Sequence, residues 1–585
     1  MSTLKNTSIL CSALTCILPA AEVAGATPNE QRPNIIFILA DDLGYMDVCA
    51  FAHRVTGTPV DSMFFETPHI DRLVEEGMAF SNAYVCPLSS PTRSSLLTGK
   101  YAARLGFTTA MPARDTWYML NEKPPHPGYA HDAISHEDDI RIEQALINGK
   151  SNSAIPAGLA WDEGRKEVVL PEAMEGYHTA FIGKWHVGGF GAEGYQPGDR
   201  GFDEVPAYFD AGGSAHFGWR GGWNDRSKRR YPKMPQQEWK IGDAGTESGE
   251  SYLTDDLTQK ALDYIDRRVA ADDGPFFLYF CEFAVHTPIQ AKPEDIEYFS
   301  NKPTRGWNRQ SDPVYAGLVR GLDNSVGKIL DKLEEAGIEE NTLVVFLSDN
   351  GGIDGKITPH DLITNNSPYT GGKATLFEGG VKSPLVFRWK GHIEGGTWDD
   401  RSLIDASDLF PTLLEFAGID PTPYYTEQQI DGRSFYLLFQ QQKGRRREAF
   451  SRDTLYWHYP FNVIYNNPVD GLPLTPHSAV RVGDMKLIYD WHGRLYLFDM
   501  AKDPYETHNL AARRAKDTRR LFGILVQWLD RNVEARYLPV KNPDYDKSKE
   551  SRKETPYVDL IEVWRSGGDV VEAATIPDMS QLVIR

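Results

Sequence analysis

Residues 89–100 read SSPTRSSLLTGK, and the rest of the chain is organised around this stretch. Pro91 suits the first turn of a helix that Ser90 can cap. Ser89 then stands just before a helix N-terminus, where free backbone N–H groups and the helix dipole favour bound negative charge. Arg93 lies about one turn further along the same side. The stretch therefore predicts a hydroxyl and a guanidinium in one anion-binding position.

The residues before this helix alternate between strand and helix patterns. Residues 35–39 form an apolar, β-branched run that ends abruptly in Asp41 and Asp42, and residues 67–76 form a helix pattern that Gly77 ends. Such β-α-β alternation predicts an α/β fold, with a large mixed, mostly parallel sheet sandwiched by helices. Ligands of these sheets bind beyond the carboxyl ends of the strands, where both aspartates are expected.

Later strand patterns also end in side chains that can do chemistry. Runs at 179–185, 276–283 and 343–347 read as strands, and a glycine-rich loop follows at 371–380. The candidate residues at these strand ends and in the loop are Lys184, His186, His286, Asp349, Asn350 and Lys373. Two of them, Lys184 and Lys373, are cations that can hold an anion together with Arg93, and the two histidines can carry a proton.

Asp41, Asp42, Asp349 and Asn350 together offer three carboxylates and one amide oxygen, without a thiolate. Calcium takes six to eight oxygen ligands, whereas magnesium requires an octahedron and zinc prefers nitrogen or sulfur. We therefore expect one calcium ion per chain. The alternative is that either acidic pair only caps a helix or a turn.

Composition and the N-terminus indicate the compartment. The chain has 585 residues and a net charge of −20, which argues against nucleic-acid binding. Residues 1–26 read as a secretory signal peptide, with an apolar stretch at 9–21 and small residues before Thr27; a disordered tail is the alternative. No later run reaches membrane-spanning length. Cys49, Cys86 and Cys281 lack metal-type spacing and predict no disulfide framework.

The chain divides into three predicted parts after the signal peptide. Residues 27–431 form a catalytic domain that carries an insertion at 101–168, where periodicity is weak. Residues 432–540 form a smaller α+β domain with a short antiparallel sheet, and residues 541–585 form a C-terminal extension.

The fixed spacings of residues 89–100 match the sulfatase signature: Cys or Ser, any residue, Pro, any residue, Arg, then Leu-Thr-Gly-Arg/Lys. The order of the other motifs also fits, namely Asp-Asp, Lys-x-His, His-Thr-Pro, Asp-Asn-Gly and Gly-Lys. From Pro33 to about Pro539 the chain resembles the type I sulfatases of the alkaline phosphatase superfamily. In particular, it resembles bacterial carbohydrate sulfatases of the serine type.

This resemblance implies roles for the individual residues. Ser89 is expected to be oxidised to formylglycine (3-oxoalanine) by a serine-type sulfatase-maturing enzyme, to attack sulfur as the hydrate and to contact the calcium ion. The resemblance assigns the metal to Asp41, Asp42, Ser89, Asp349 and Asn350. It assigns catalysis to Ser89, Arg93, Lys184, His186, His286 and Lys373. Arg93 holds the hydrate and its partner metal ligand, and the lysines clamp the sulfate. His286 protonates the leaving oxygen, and His186 takes the proton that lets the aldehyde re-form.

The implied activity is hydrolysis of sulfate monoesters, chiefly O-sulfate groups on glycans, by an enzyme secreted into the bacterial periplasm. A sulfated saccharide is then the substrate. Two alternatives remain at this point. One is a phosphomonoester or phosphodiester hydrolase of the same superfamily that uses Ser89 unmodified, and the other is a non-catalytic glycan-binding relative.

Overall fold

The computed structural model describes most of the chain after the predicted signal peptide, which lies outside the described residues. The described residues are 32–111, 145–159, 162, 164–189, 194–210, 212–214, 216–217, 252–303, 307–353, 363–440, 450, 452–461, 476–549 and 557–581. Among these residues, no helix combines the length and the apolar composition that crossing a membrane requires.

Sixteen strands are present in the described residues. They are β1 (Asn34–Ala40), β2 (Met78–Phe80), β3 (Ala83–Tyr84), β4 (Leu146–Ile147), β5 (His178–Lys184), β6 (Glu204–Phe209), β7 (Phe276–Cys281), β8 (Thr342–Ser348), β9 (Leu385–Arg388), β10 (Thr397–Asp399), β11 (Ile404–Asp405), β12 (Thr454–Tyr459), β13 (His477–Val482), β14 (Met485–Asp490), β15 (Arg494–Asp499) and β16 (Val540–Lys541).

Eight of these strands form one large sheet in the order β10-β2-β9-β8-β1-β7-β5-β6. Its central strands β8, β1, β7 and β5 are parallel neighbours. Only β9 runs against its partners β8 and β2. The predicted mixed, mostly parallel sheet is confirmed, and its parallel part puts four consecutive strand ends at the same edge.

The α-helices lie on both faces of this sheet and in the C-terminal part. They are α1 (Cys49–Thr56), α2 (Pro68–Glu76), α3 (Ser89–Thr98), α4 (Ala102–Leu105), α5 (Leu170–Ala173), α6 (Leu253–Ala271), α7 (Pro293–Asn301), α8 (Pro313–Glu335), α9 (Glu378–Val381), α10 (Leu409–Phe416), α11 (Ala515–Asn532), α12 (Leu560–Arg565) and α13 (Val570–Ala573). The apolar side chains of α8 at Leu318, Leu322, Val326, Ile329 and Leu333 are buried, and Asp312 caps this helix by accepting from the backbone N–H of Val314 and Tyr315.

Strand β1 shows why the sheet is covered on both faces. Ile36 and Ile38 belong to a core with residues of α1, α2, α6 and α8, whereas Ile35, Phe37 and Leu39 belong to a second core with residues of α3, α5 and α10. Successive side chains of a strand point to opposite faces of the sheet. A strand that is apolar throughout therefore has to be covered on both faces.

The C-terminal part contains a four-stranded antiparallel sheet, β12-β13-β14-β15, against which α11 packs. The predicted small antiparallel sheet with a helix is confirmed. Helices α12 and α13 contribute Leu560, Ile561 and Val570 to the same core. Strand β16 pairs with β4, which lies in the predicted insertion. The domain boundaries near residues 431 and 540 stay predictions.

Candidate active site

Four adjacent strands deliver the candidate residues to one edge of the sheet. Asp41 and Asp42 follow β1, Asp349 and Asn350 follow β8, Lys184 ends β5, and His286 lies five positions beyond β7. The Asp, Asn and Lys side chains are completely buried. Because these four strands are parallel neighbours, their carboxyl ends form a single site, as the sequence pattern predicts.

Helix α3 supplies Ser89 and Arg93 to the same place. The predicted cap at Ser90 is wrong, because the helix begins at Ser89 and its N-cap is Leu88. The Ser90 hydroxyl instead donates to the carbonyl of His186 at 2.7 Å and accepts from the backbone N–H of Met111 at 3.0 Å. The hydroxyl of Ser90 is therefore bonded to residues outside the helix and does not cap it. Ser89 itself lies in the first turn of the helix.

The Ser89 hydroxyl lies among the predicted metal ligands. Its Oγ is 3.3 Å from Oδ1 of Asp41 and 3.3 Å from Oδ1 of Asn350, and it accepts from Nζ of Lys184 at 3.2 Å. Only 2% of Ser89 is exposed. Atoms that are 261 positions apart in sequence thus meet within hydrogen-bonding distance.

Arg93 joins two of the strand ends. Its Nε and Nη2 donate to Oδ2 of Asp349 at 3.0 and 2.8 Å, and its Nη1 donates to the carbonyl of Lys184 at 2.6 Å. The planar guanidinium thereby fixes β8 relative to β5, a geometry that a lysine cannot reproduce.

Two lysines neutralise the other two carboxylates. Lys184 Nζ donates to both oxygens of Asp41 at 2.9 and 2.8 Å, and Lys373 Nζ lies 2.6 Å from Oδ1 and 2.8 Å from Oδ2 of Asp42. With Arg93 and Asp349, the site holds three cations and three anions. The formal charge of these six side chains is zero, so a divalent cation makes the cluster positive enough to receive an anionic ester.

Burial and crowding shift the pKa values of these groups. Burial raises the pKa of Asp41 well above its ordinary value, and the charge of Asp349 adds to this effect. Burial acts in the same direction on Asp42, but Lys373 and His286 outweigh it and hold the pKa of Asp42 below its ordinary range. Burial also lowers the pKa of Lys184. Burial also acts to raise the pKa of Asp349, but Arg93 and Lys184 outweigh it and hold this pKa below its ordinary value, so only Asp41 among the three carboxylates has a raised pKa.

Two carboxylates and one imidazole of this site are close enough together to hold a metal ion. One ligand atom from each of Asp41, Asp42 and His286 lies within 4.8 Å of the others, and Asn350 Nδ2 donates to Oδ1 of Asp42 at 2.8 Å. The donor set of carboxylate, amide and hydroxyl oxygens is typical of calcium sites. These residues can hold a divalent cation, whereas calcium as the ion and Asp349 as one of its ligands stay predictions.

Backbone strain is concentrated at three residues of this site. Asp42, His186 and Ala374 have φ values of 62°, 59° and 69°, in the left-handed region that favours glycine. Each such residue costs on the order of 1–3 kcal/mol and persists only where its surroundings determine it. The predicted strand through Trp185 accordingly ends at Lys184, and the alternation of a strand does not extend to His186.

The hydrogen bonds of His186 leave one ring nitrogen free. Its Nε2 lies 2.9 Å from the carbonyl of Met111, a contact in which the nitrogen must donate. Its Nδ1 is buried and, within the described part of the chain, has no hydrogen-bond partner. Burial and the nearby charge of Lys184 hold the pKa of His186 well below its ordinary value. His186 is therefore a neutral imidazole with an Nδ1 that can accept a proton.

His286 faces Asp42 with the opposite nitrogen. Its Nδ1 lies 2.7 Å from the carbonyl of Thr287, and its Nε2 is 3.6 Å from Oδ2 of Asp42. Burial, helped by Lys373 and Lys184, lowers the pKa of His286 to about 3. The side chain is 16% exposed, which makes it the most accessible group of the cluster.

Sequence reasoning missed the loop that holds the two histidines. A Cβ at Gly212 would lie 3.0 Å from Nε2 of His186, and one at Gly213 would lie 2.8 Å from Nδ1 of His286. His216, two residues after the described segment 212–214, is buried, and its Nε2 lies 2.9 Å from the carbonyl of His286. No pattern at residues 212–216 indicates these contacts, because their partners are in other strands.

Asp47 is a second residue that the sequence did not reveal. Its Oδ2 accepts from Tyr315 at 2.8 Å and from the backbone of Gly44 at 2.9 Å, while its Oδ1 accepts from Gln310 and Thr364. Burial raises its pKa to about 6. Asp47 fixes the turn that follows Asp41 and Asp42, and a third aspartate so soon after this pair is the only sequence signal for it.

Comparison with known families agrees with this geometry. The Sulfatase family model matches residues 33–419, and the model described as N-sulphoglucosamine sulphohydrolase, C-terminal, matches residues 372–528. The first match covers more than half of the 585 residues and contains every candidate residue of the site.

Individual relatives extend the match over most of the chain. An N-acetylgalactosamine-6-sulfatase from Canis lupus familiaris is 33% identical over 427 residues, which cover 72% of this chain and 68% of the relative. A sulfatase from Formosa agariphila is 29% identical over 523 residues, covering 82% and 85%. The crystal structure of Ps i-CgsB in complex with k-i-k-neocarrahexaose superposes with a TM-score of 0.61 and 26% identity, covering 92% of this chain and 97% of that one. The chain therefore belongs to the sulfatase family of sulfuric ester hydrolases, within the alkaline phosphatase superfamily.

Proposed function

We propose that this sulfatase removes O-sulfate groups from glycans, with Ser89 converted to formylglycine and one calcium ion bound by Asp41, Asp42, Ser89, Asp349 and Asn350. The observation that carries this proposal is the position of Ser89 Oγ. It lies 3.2–3.3 Å from a carboxylate, an amide oxygen and a lysine that come from three different strand ends. A hydroxyl so placed serves as a nucleophile precursor and as a metal ligand at the same time.

The substrate class is supported by the relatives. One is named for N-acetylgalactosamine 6-sulfate, and the carrageenan-type complex holds a neocarrahexaose. The compound named for the first relative and the ligand bound by the second are both saccharides. Because the chain is similar to both proteins over most of its length, a sulfated saccharide is the substrate that we propose.

Formylglycine and calcium would supply the nucleophile and the Lewis acid of this reaction. When present, formylglycine offers a hydrated aldehyde at position 89, and calcium polarises oxygen ligands and orients the ester. The protein's own part is to bind and to neutralise charge: Lys184 and Lys373 are both close enough to the carboxylates to contact a sulfate held at the same ion. Arg93 keeps Asp349 in place through its paired hydrogen bonds.

The histidines divide the proton transfers. We assign the leaving-group proton to His286, whose side chain is the most accessible of the cluster. Its neutral state without substrate is consistent with this role, because the negative charge of a bound sulfate ester favours the imidazolium. His186, with a free Nδ1, is the group that accepts a proton from position 89.

The maturation and location of the enzyme follow from the same proposal. Oxidation of Ser89 requires a serine-type sulfatase-maturing enzyme as a transient partner. Residues 1–26 direct secretion across the inner membrane, and the periplasm is the compartment where a soluble glycan sulfatase meets imported saccharides.

The mass of one tryptic peptide tests the central step. Trypsin releases residues 73–93, which contain Ser89, and oxidation to formylglycine removes two hydrogens from this peptide. The protein is co-expressed with a maturing enzyme and assayed on a panel of defined sulfated and phosphorylated saccharides. Loss of the two hydrogens with release of sulfate supports the proposal. An unmodified serine with release of phosphate supports a phosphoester hydrolase instead.

Replacement of the serine separates chemistry from folding. Ser89→Ala is expected to abolish sulfate release and to keep the thermal midpoint close to that of the wild type. Ser94→Ala is the matched control, because Ser94 lies on the same helix and its hydroxyl donates to the carbonyl of Pro91, away from the cluster around Ser89. Appreciable turnover by Ser89→Ala would remove Ser89 from the mechanism.

A further inference from the structure

The C-terminal sheet contacts the loop that carries Lys373 through a buried group of charges. Lys486, on β14, lies 2.9 Å from Oε1 of Glu378 and 2.8 Å from Oε1 of Glu506. All three side chains are at most 1% exposed. Glu506 has a φ of 61°, so the backbone is held in the left-handed region to bring this carboxylate to its partners.

Glu506 also bonds the start of helix α9 directly. Its Oε2 accepts from the backbone N–H of Glu378 at 2.6 Å. Glu378 is further held by Tyr84, whose hydroxyl donates to Oε2 at 2.9 Å. A second link lies a few residues earlier, where the Thr370 hydroxyl donates to the carbonyl of Tyr505 at 2.7 Å. The C-terminal part therefore binds both ends of the segment 370–378.

Helix α9 in turn contacts the loops of the site through the backbone atoms of its glycines, without side chains in between. A Cβ on Gly379 would lie 2.0 Å from the carbonyl oxygen of Gly371, and one on Gly380 would lie 2.4 Å from that of Gly372. A Cβ on Gly351 would lie 1.9 Å from the carbonyl oxygen of Gly379. Only glycine permits such approach. Any shift of α9 is therefore transmitted without a flexible side chain in between.

These backbone contacts lead directly to the reactive groups. Gly351 follows Asn350, and its N–H donates to the carbonyl of Gly380 at 3.0 Å. Lys373 follows Gly372, and its N–H donates to the carbonyl of Gly352 at 3.0 Å. The positions of Asn350, the proposed amide ligand, and of Lys373, the proposed sulfate-binding lysine, thus both depend on the position of α9.

We propose that Lys486 and Glu506 are positioning residues for the reaction: through Glu378 they fix helix α9, which sets Asn350 and Lys373 relative to Ser89. This inference rests on the proposed function for its catalytic consequence. Among the described residues, the ion pairs of Lys486 and Glu506 are with each other and with Glu378, so we infer that their effect runs through the backbone of α9.

The test uses a charge-balanced change and a matched control. Lys486→Met/Glu506→Gln removes one charge of each sign and leaves Glu378 with Lys382 at 3.6 Å, so it avoids an unpaired buried carboxylate. The control is Arg452→Met, which breaks the buried ion pair of Arg452 with Asp408. This pair also joins the two parts of the chain, and the other hydrogen bonds of Arg452 go to Tyr101 and the carbonyl of Asp431 rather than to residues 370–381. Glu506→Gln alone keeps an acceptor for the Glu378 N–H and serves as the conservative variant.

Two readouts are measured on the full-length, matured protein. One is hydrogen exchange of the backbone amides in residues 370–381, and the other is kcat/KM for 4-nitrophenyl sulfate. The double variant is expected to speed exchange in this segment and to lower kcat/KM by about tenfold or more, because small misplacements of catalytic groups cost that much. Glu506→Gln stays close to the wild type, and Arg452→Met lowers the thermal midpoint without accelerating exchange at 370–381.

The outcomes separate this inference from the proposed function. Unchanged exchange at 370–381 in the double variant overturns the inference, and so does a loss of kcat/KM that Arg452→Met reproduces at an equal loss of thermal midpoint. A wild-type protein that releases no sulfate from any ester overturns the proposed function. Faster exchange confined to 370–381 supports the positioning of α9 in that case as well.

Discussion

Both Nε and Nη2 of Arg93 donate to a single oxygen of Asp349, at 3.0 and 2.8 Å, and neither side chain is more than 1% exposed. The pair connects helix α3 to the end of strand β8, and thereby the proposed nucleophile to the proposed metal ligands. A buried ion pair of this kind makes each partner strongly dependent on the other.

Arg93→Met is expected to lower the free energy of unfolding by about 3–5 kcal/mol, because it leaves the Asp349 carboxylate buried without its counter-ion. Urea unfolding followed by circular dichroism measures the change. Arg54→Met breaks a pair with Asp400 whose side chains are almost half exposed, and its effect should stay below about 1 kcal/mol. Equal losses in the two variants would contradict the importance of the buried pair.

His286→Ala is expected to slow alkyl sulfates far more than activated aryl sulfates, since a poor leaving group needs a proton and nitrophenolate does not. The loss on an alkyl saccharide sulfate should reach about 10²–10⁴-fold. Steady-state kinetics on both substrates gives the ratio. Replacement of the exposed His53 by alanine should change neither rate. Similar losses on both substrates would rule out His286 as the acid.

Gly213→Ala is expected to displace the imidazole of His286, because the new Cβ would lie 2.8 Å from its Nδ1. The rate on alkyl sulfates should fall by about tenfold or more, while Gly213, which is exposed, adds little to stability. Gly198→Ala is the control, since the nearest atom to its Cβ would be 4.0 Å away. Wild-type rates in Gly213→Ala would show that the loop does not restrict His286.

Glu282→Gln is expected to change how stability depends on pH. Burial raises the pKa of Glu282 to about 8 in the folded protein, above its ordinary value of 4.5, and Ser325 donates to its Oε1 at 3.1 Å. The folded state therefore keeps the proton on Glu282 up to a higher pH than the unfolded state does. The contribution of protonated Glu282 to the stability of the folded state is complete below pH 4.5 and is lost as the pH rises through about 8.

Thermal unfolding between pH 4.5 and 9 measures this effect. Glutamine imitates the protonated acid, so the variant should lose less stability over this range than the wild type does, by a few kcal/mol at most. Glu297→Gln, a change on the surface of α7, should leave the slope unaltered. A wild-type slope in Glu282→Gln would mean that Glu282 does not titrate in this range.

On our proposal that the site binds one calcium ion, removal of this ion is expected to lower both activity and the thermal midpoint. A ligand that binds only the folded state adds about 2.7 kcal/mol at 100 times its dissociation constant. Dialysis against a chelator followed by differential scanning calorimetry measures the loss, and calcium should restore it. Magnesium should restore less, because its octahedral geometry and short bonds suit this flexible oxygen set poorly. Full rescue by magnesium would argue against calcium as the resident ion.

Much of the sheet and of the site could be predicted because buried strands are apolar without interruption. Residues 35–39 and 343–347 leave no doubt about where each strand ends, and Asp41 and Asp349 follow at once. Parallel strands then put these ends together. The positions of Lys184, Lys373 and the two histidines near this edge followed from the same reasoning and from the family resemblance, which also gave the roles that we propose for them.

The parts that could not be predicted depend on partners far away in sequence. Ser90 does not cap its helix, because the carbonyl of His186 and the N–H of Met111 take its hydroxyl. The contacts of Gly213 and His216 with the His286 segment involve backbone atoms of another strand end. The order of strands in the sheet, with β9 antiparallel, likewise has no local signal.

Because Ser89 is buried in the folded protein, its oxidation depends on when the site closes during folding. Asp41 and Lys373 are 332 positions apart (373 minus 41), and the site closes over Ser89 only when β8 and the Lys373 loop have been synthesised. A separate enzyme needs access to a hydroxyl that the finished protein leaves 2% exposed. On our proposal, the oxidation therefore has its opportunity while the ribosome is still supplying the second half of the chain, before β8 takes its place beside β1.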